Sequence, residues 1–255
     1  MLGEQRRLKI LELIQEDGTA KVSNLSKLFN VSEPTIRQDL EKLEIDGFII
    51  REHGGAILKN ISQQVKTLTL QHQSENLDSK ILIGKKAAEF INDGDAIILD
   101  SGSTTTEIAN NLSEKKDIKI ITNALNIALM LGTRFSFEVM MTGGEFKAPT
   151  LSLTGEKAAL LFQQIHINKL FLATAGISFE SGLSYPSFSD IYVKKAMINC
   201  ADEVYLVADS TKIGKNAFAS IGSLDKIDVL ITDSSIKQED KFKFEKLGIK
   251  IIIAE

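Results

Sequence analysis

The sequence predicts an α/β protein in two parts: a small, mainly helical N-terminal domain, then a larger domain on a mainly parallel sheet. Three observations carry this. Residues 8–43 hold three successive stretches with apolar residues at helical spacing. From Ala96 onward, short apolar runs without polar alternation take turns with amphipathic segments, as in strands buried on both faces and joined by crossover helices. The 255 residues are 43% hydrophobic, enough for two cores.

In the first part, Leu8 and Leu11, with Ile10, Leu13 and Ile14 as further candidates, mark a helix ending near Asp17-Gly18. Val22, Leu25, Leu28 and Phe29 mark a short second helix, and Asn30-Val31-Ser32 a turn. Ser32 is a good N-cap, because its hydroxyl can accept from an orphan backbone N–H. Glu33 and Pro34 suit a first helical turn. Ile36, Leu40 and Leu43 then form one apolar stripe. At about 100° per residue, Thr35, Gln38 and Lys42 fall opposite it, with Arg37 on the flank. Asp46-Gly47 stops the helix, and Phe48–Arg51, His53-Gly54-Gly55 and Ala56–Leu58 read as a hairpin. A short helix, a turn and a longer helix with a polar face is the helix-turn-helix arrangement, and the hairpin is a wing. A small helical bundle with a hairpin fits the same pattern.

The stretch LSKLFNVSEPTIRQDLEKLEIDGFIIREHGGAIL resembles the winged helix-turn-helix of the DeoR family of bacterial sugar-responsive transcription regulators. The resemblance rests on Leu25, Phe29, Val31, Ser32, Thr35, Ile36, Arg37, Asp39, Leu40, Leu43, Gly47, Arg51, Gly54 and Gly55. It departs at Gln38, where the family commonly has a second Arg, which implies a changed base preference or one fewer phosphate contact. The candidate DNA-binding residues are Ser32, Pro34, Thr35, Arg37, Gln38, Lys42, Arg51, His53 and Gly54.

Bulk charge argues mildly the other way. Net charge is −4, and residues 1–60 carry nine Lys/Arg against ten Asp/Glu. DNA binding would depend on local placement of Arg6, Arg7, Arg37, Lys42 and Arg51. Cys200 is the only cysteine, so neither an intrachain disulfide nor a zinc cluster is available. His53, His72 and His166 are scattered, and no metal or cofactor is expected. The N-terminus lacks a signal-peptide h-region, and no apolar run approaches the ~20 residues that span a bilayer. A cytoplasmic protein with no membrane partner is the expectation.

Residues 1–60 form the first domain in this reading, 61–79 a Gln- and Ser-rich linker, and 80–255 the second domain. Its strands are expected at Ala96–Leu99, Ile118–Ile121, Phe137–Met141, Lys169–Ala173, Val204–Ala208, Val229–Thr232 and Ile249–Ala254. Polar loops, most of them glycine-bearing, follow five of these strands, where open parallel sheets bind ligands. The loop Asp100-Ser101-Gly102-Ser103-Thr104-Thr105-Thr106 would place backbone N–H groups and hydroxyls at a helix start, a ready anion site. It is not a Walker A loop, since no Gly-Lys-Ser/Thr follows. A multiply capped helix start would look the same.

Residues from about Lys80 to Glu255 resemble the sensor domain of the same family, which is similar in fold to ribose-5-phosphate isomerases and CoA transferases. The resemblance implies that Gly102, Ser103, Thr104 and Thr105 hold an effector phosphate. It implies that Asn123, Gly143 and Gly144 line the sugar and that Asp209 and Lys212 bond it. Lys80 matches a frequent family lysine, and Asp100 completes the candidate effector-binding set. Where the isomerases carry catalytic acids, this chain reads Thr174-Ala175-Gly176-Ile177. Alanine cannot serve as a general base, so no catalytic residue is expected. The leading expectation is a repressor of a sugar-catabolism operon, bound to double-stranded operator DNA as a dimeric or tetrameric homo-oligomer and released by a phosphorylated sugar. A sugar-phosphate isomerase-like enzyme is one alternative, and a DNA-binding protein with a non-sensing assembly domain is another.

Overall fold

The computed structural model describes residues 3–17, 19–52, 54–58, 75–133 and 136–255. The chain divides into two compact units, Met1–Val65 and Lys66–Glu255. His53 and most of the expected linker lie outside the described residues.

In the first unit, α1 (Gly3–Asp17), α2 (Val22–Phe29) and α3 (Glu33–Ile45) pack around one apolar cluster. Ile10 and Ile14 enter it from α1, Val22 and Leu25 from α2, and Ile36, Leu40 and Leu43 from α3. Full burial of each such side chain contributes about 1.5–3 kcal/mol. Leu8 and Leu28 were expected inside, and both are exposed. Ile10 and Ile14, one turn apart, set the inward face of α1, and Leu8 lies about 200° round from Ile10. Leu28 is likewise roughly 240° round from Val22.

The left-handed Asn30 (φ 50°) caps α2. Gly47 (φ 84°) ends α3, where the Phe48 N–H donates to Leu43 O at 2.9 Å. The wing is larger than a hairpin. Strands β1 (Thr19–Lys21), β2 (Ile49–Glu52) and β3 (Gly55–Leu58) form an antiparallel sheet in the order β1-β3-β2. Gly55 permits it: a Cβ there would lie 2.4 Å from the Ala20 carbonyl oxygen.

The second unit is built on seven parallel strands. They are β4 (Ala96–Leu99), β5 (Ile118–Thr122), β6 (Phe137–Met141), β9 (Ile167–Leu172), β12 (Ala201–Val207), β14 (Val229–Asp233) and β15 (Lys250–Ala254). Their order is β15-β14-β12-β9-β4-β5-β6, and each corresponds to one of the seven expected apolar runs. Alternate residues feed two cores, as Ile97 and Leu99 face one side of β4 and Ile98 the other. Helices α4 (Leu77–Ala88), α5 (Ser103–Asn110) and α6 (Leu125–Leu131) cover the first face. Helix α8 (Phe188–Cys200) covers the second through Val193 and Met197. A short helix α7 (Glu156–Ala159) precedes β9, and α9 (Gln238–Lys246) precedes β15.

Two small antiparallel sheets are additions that the apolar runs did not reveal. One pairs β7 (Glu145–Lys147) with β8 (Ser152–Thr154). The other orders β10 (Gly176–Ser178), β11 (Gly182–Tyr185) and β13 (Ala219–Gly222) side by side.

The sheet order locates the site. From β4 the chain adds β5 and β6 on one side, then crosses to add β9 and β12 on the other. That reversal is a topological switch point, and the crevice beyond the strand ends there is where open α/β sheets bind ligands.

Candidate functional site

The first unit presents a polar helix face beside a wing. Ser32 caps α3 as the sequence predicts, its Oγ accepting from the Thr35 N–H at 3.4 Å and lying 2.9 Å from Thr35 Oγ1. Ser32, Pro34, Arg37, Gln38 and Lys42 are exposed, and Thr35 is half-buried. Arg37 meets Glu33 at 3.0 Å, a surface pair with little energetic hold on the guanidinium. Arg51 is exposed on β2, and its N–H donates to Glu44 Oε1 at 2.8 Å, tying wing to helix. Gly54 (φ 87°) is exposed at the wing turn.

Arg6 and Arg7 are placed differently from the expectation. Arg6 Nε donates to the buried Asp39 carboxylate at 2.5 Å, and Arg7 lies 3.7 Å from its other oxygen. Both charges brace α1 against α3 rather than stand free for phosphate. The motif position Asp39 thus has a structural role that spacing alone did not reveal.

In the second unit, a cavity of about 170 Å³ opens at the switch point. Its walls come from the loops after β4, β9 and β12, which are neighbours in the sheet. Lys80, Gly102, Ser103, Thr104, Asp209 and Lys212 line it, six of the eleven candidate residues. Gly102 is required by crowding: a Cβ there would sit 2.8 Å from Ala173 Cβ. Ser103 and Thr104 form the first turn of α5, and their hydroxyls have no hydrogen-bond partner among the described residues.

Five candidates do not line it. Thr105 is fully buried, and its hydroxyl donates back to Gly102 O at 3.0 Å. Asp100 is also fully buried, behind the cavity. It accepts from the Ser101 N–H at 2.7 Å, the Ala173 N–H at 3.0 Å and the Lys194 ammonium. Burial pushes the Asp100 carboxyl up, and Lys194 opposes that shift. Asn123, Gly143 and Gly144 follow β5 and β6, on the far side of β4 from the switch point. Asn123 is a brace: its Oδ1 accepts from Ser101 N at 2.9 Å, and its Nδ2 donates to Leu153 O at 3.1 Å. Gly143 (φ 69°) turns the chain, and Gly144 (φ 110°) fits against Ala158 and Thr154 where a Cβ would not.

Other residues reach the cavity unannounced. The β7–β8 hairpin returns Lys147 and Thr150, while β11 brings Tyr185 and α8 brings Asp190 and Lys194. Lys147 Nζ donates to Asp190 Oδ2 at 2.7 Å, and Lys194 also reaches Ser101 Oγ at 3.3 Å. The Tyr185 hydroxyl donates to Ala173 O at 3.0 Å, and burial raises its pKa. A signal for two of them was present: Asp190 and Lys194 share one face of α8 with Val193 and Met197, so charged residues interrupt an apolar stripe.

Asp209 is 1% exposed and caps the turn Ser210–Lys212. Its Oδ1 accepts from the Thr211 N–H and Asn76 Nδ2, both at 3.2 Å. Its Oδ2 has no partner among the described residues. Burial lowers the Lys80 pKa, with Asp209 opposing the shift and Lys212 adding to it. The cavity therefore offers two ammoniums, a helix start and an unsatisfied carboxylate oxygen. Ala175 lines it without supplying a carboxylate. No group of three or more His, Cys, Asp or Glu that could hold a metal occurs among the described residues.

Comparison with known proteins agrees with this architecture. Residues 6–62 match the DeoR-like helix-turn-helix domain, and residues 75–234 match the DeoR C-terminal sensor domain. The regulator GlpR of Haloferax volcanii is 32% identical over 99% of this chain and 98% of its own. The lactose phosphotransferase system repressor of Streptococcus mutans is 34% identical over 97% of each. The repressor GlcR of Bacillus subtilis is 31% identical over all of this chain and 98% of its own. Ribose 5-phosphate isomerase A of Neisseria gonorrhoeae covers 52% of both chains at 15% identity and a TM-score of 0.39. Both units match their family models in order, and the relatives align over nearly their whole length: the chain belongs to the DeoR family of transcription regulators.

Proposed function

We propose that this regulator represses a sugar-catabolism operon and is released from its operator when a phosphorylated sugar fills the switch-point cavity. The observation that carries the reading is Asp209 Oδ2, a buried acceptor left unpaired in a wall that also holds Lys80, Lys212 and the start of α5. An unsatisfied buried acceptor costs about 1–3 kcal/mol, and a sugar hydroxyl would satisfy it. The phosphate would take the α5 N–H groups, the Ser103 and Thr104 hydroxyls, and the two ammoniums. Asp100, Thr105 and Asn123 act behind the cavity, holding its loops.

On the DNA side, α3 would enter the major groove, with Thr35, Arg37, Gln38 and Lys42 toward base edges. Ser32, Pro34, Arg51 and Gly54 would lie along the backbone. One winged helix reads one half-site, so the active species is a homo-oligomer. Among the described residues no helix is long and apolar enough to cross a membrane. A repressor on its operator would work in the cytoplasm. Occupancy can lower operator affinity only as far as the effector discriminates between two states. The enzyme alternative is disfavoured by Ala175, since both carboxylates in the cavity wall are otherwise placed: Asp190 on Lys147, Asp209 as a cap.

The test is a thermal-shift screen against pentose and hexose phosphates, followed by operator release with any that bind. A ligand at ~100 times its Kd adds roughly 2.7 kcal/mol of stability. Stabilisation by none of them would leave the assembly-platform alternative standing, and product formation would revive the enzyme.

A further inference from the structure

Four lysines line the cavity, and their partners divide them. Lys194 is held by Asp100 and Lys147 by Asp190, whereas Lys80 and Lys212 make no ion pair among the described residues. Lys80 stands on α4, which covers one face of the sheet. Asp190 stands on α8, which covers the other. The cavity is thus bounded from two sides, with two ammoniums against the single Asp209 carboxylate on one and a neutralised pair on the other.

Asp190 is 6% exposed, and only its Oδ2 is engaged by Lys147. A carboxylate with one oxygen committed to an ammonium can still accept from a hydroxyl, and the ammonium still has N–H groups to donate. Such a pair suits a neutral group that both donates and accepts, as a sugar hydroxyl does. It is ill suited to a second phosphate, because the ammonium is already balanced by the carboxylate and the pair has no net positive charge to offer. The hairpin that carries Lys147 is fixed to the strand ends by the Leu153 N–H donating to Asn123 O at 2.7 Å. Helix α8 is fixed beside the same hairpin by Gly155, the residue after β8, whose N–H donates to Ser189 O at 3.0 Å. The pair is therefore held at a set place in the wall.

We infer that Asp190 and Lys147 are specificity-determining residues that read a hydroxyl at the non-phosphorylated end of the ligand, selecting a sugar monophosphate over a bisphosphate. This rests on the proposed phosphorylated-sugar reading. Asp190 balances the Lys147 charge that a second phosphate would need, and its remaining oxygen selects among hydroxyls by hydrogen bonding.

The experiment uses the full chain, wild type and the variants Asp190→Asn and Lys147→Met. The ligands are the sugar monophosphate that stabilises wild type most in the screen, its monodeoxy analogues and its bisphosphate. For wild type, one deoxy analogue and the bisphosphate should each bind about tenfold or more weaker than the parent, the scale of one charged hydrogen bond. In Asp190→Asn the parent should weaken, and its preference over that analogue should shrink toward onefold. Lys147→Met should do the same, which guards against a misfolded Asn variant. The inference is overturned if both variants keep the wild-type preference. It is also overturned if they weaken every ligand, inorganic phosphate included, by one common factor, or if wild type prefers the bisphosphate. Failure of the underlying reading looks different: no sugar phosphate would stabilise wild type at all.

Discussion

Asp100→Asn tests the claim that this residue supports the cavity from behind. The substitution keeps shape and volume and removes the charge that faces Lys194, whose side chain is 5% exposed. Lys194 would retain one hydrogen bond, to Ser101 Oγ at 3.3 Å, and the new amide would present an N–H₂ group either to it or to the Ser101 and Ala173 N–H groups. Stranding one partner of a buried pair costs about 3–5 kcal/mol. In a chain of this length each kcal/mol moves Tm by about 2–4 °C, so a fall of roughly 6–20 °C is expected. Replacing both charges at once, as Asp100→Asn with Lys194→Met, should recover most of the loss, because a buried pair exchanged for neutral groups is often close to neutral. Urea melts of the wild type, both single variants and the double variant supply the cycle. If Asp100→Asn lost less than about 1 kcal/mol, the value of a surface pair, or if the double variant were no better than the single, the supporting role would be wrong.

Arg37→Ala and Thr35→Ala should each weaken operator binding by about 1–3 kcal/mol at fixed salt without lowering Tm; affinities equal to wild type would remove α3 as the reading helix. Lys212→Ala should repress normally yet need about ten- to a hundredfold more effector for release, and release at the wild-type concentration would refute the pocket assignment. Burial lowers the Lys80 pKa, and a bound phosphate dianion would raise it. Between the two values the complex holds a proton that the free protein lacks. Binding should take up a proton there, and affinity should be flat below that window and fall as pH rises through it. Calorimetry in two buffers of different ionisation enthalpy measures the uptake, which should vanish in Lys80→Met. The Cys200 thiol is pushed up to about 11 by burial, so it should resist alkylation at pH 8 in the folded protein and react on unfolding; rapid labelling of native protein would contradict its placement.

The sequence was most legible where burial imposes a period. The inner strands of the seven-stranded sheet carry buried apolar residues on both faces, so their runs stood out, and Ile36, Leu40 and Leu43 marked α3 by one stripe. The shorter strands of three or four residues escaped: β1 exists because Gly55 lets the Ala20 backbone approach, a contact between residues 35 apart that no local pattern announces. Leu8 and Leu28 misled because an apolar side chain says nothing about its own phase around a helix when neighbours compete for the inward face.

At the site, what could be read was what one loop supplies. Gly102, Ser103 and Thr104 lie together in the chain and in the cavity. Strand order could not be read, and strand order decides which loops meet. Five loops were expected to converge, and the reversal beside β4 admits those of β4, β9 and β12 while β5 and β6 carry theirs away. Asn123, Gly143 and Gly144, which the family resemblance assigns to the sugar, stand on the loops carried away and do not line the cavity. The same reversal explains the residues that were not foreseen. The chain leaves β6 on the wrong side of the sheet and must cross back to β9, and the β7–β8 hairpin lies on that return path. Lys147 reaches the cavity because the crossing passes its mouth. Its partner Asp190 lies 43 residues on, in the first turn of a helix whose only local sign was a charge inside an apolar stripe. Residues delivered by a crossover carry no spacing signature relative to the loop they complete. In this fold the end proposed for the phosphate is legible in one stretch, and the pair proposed to read the sugar is assembled from two distant ones.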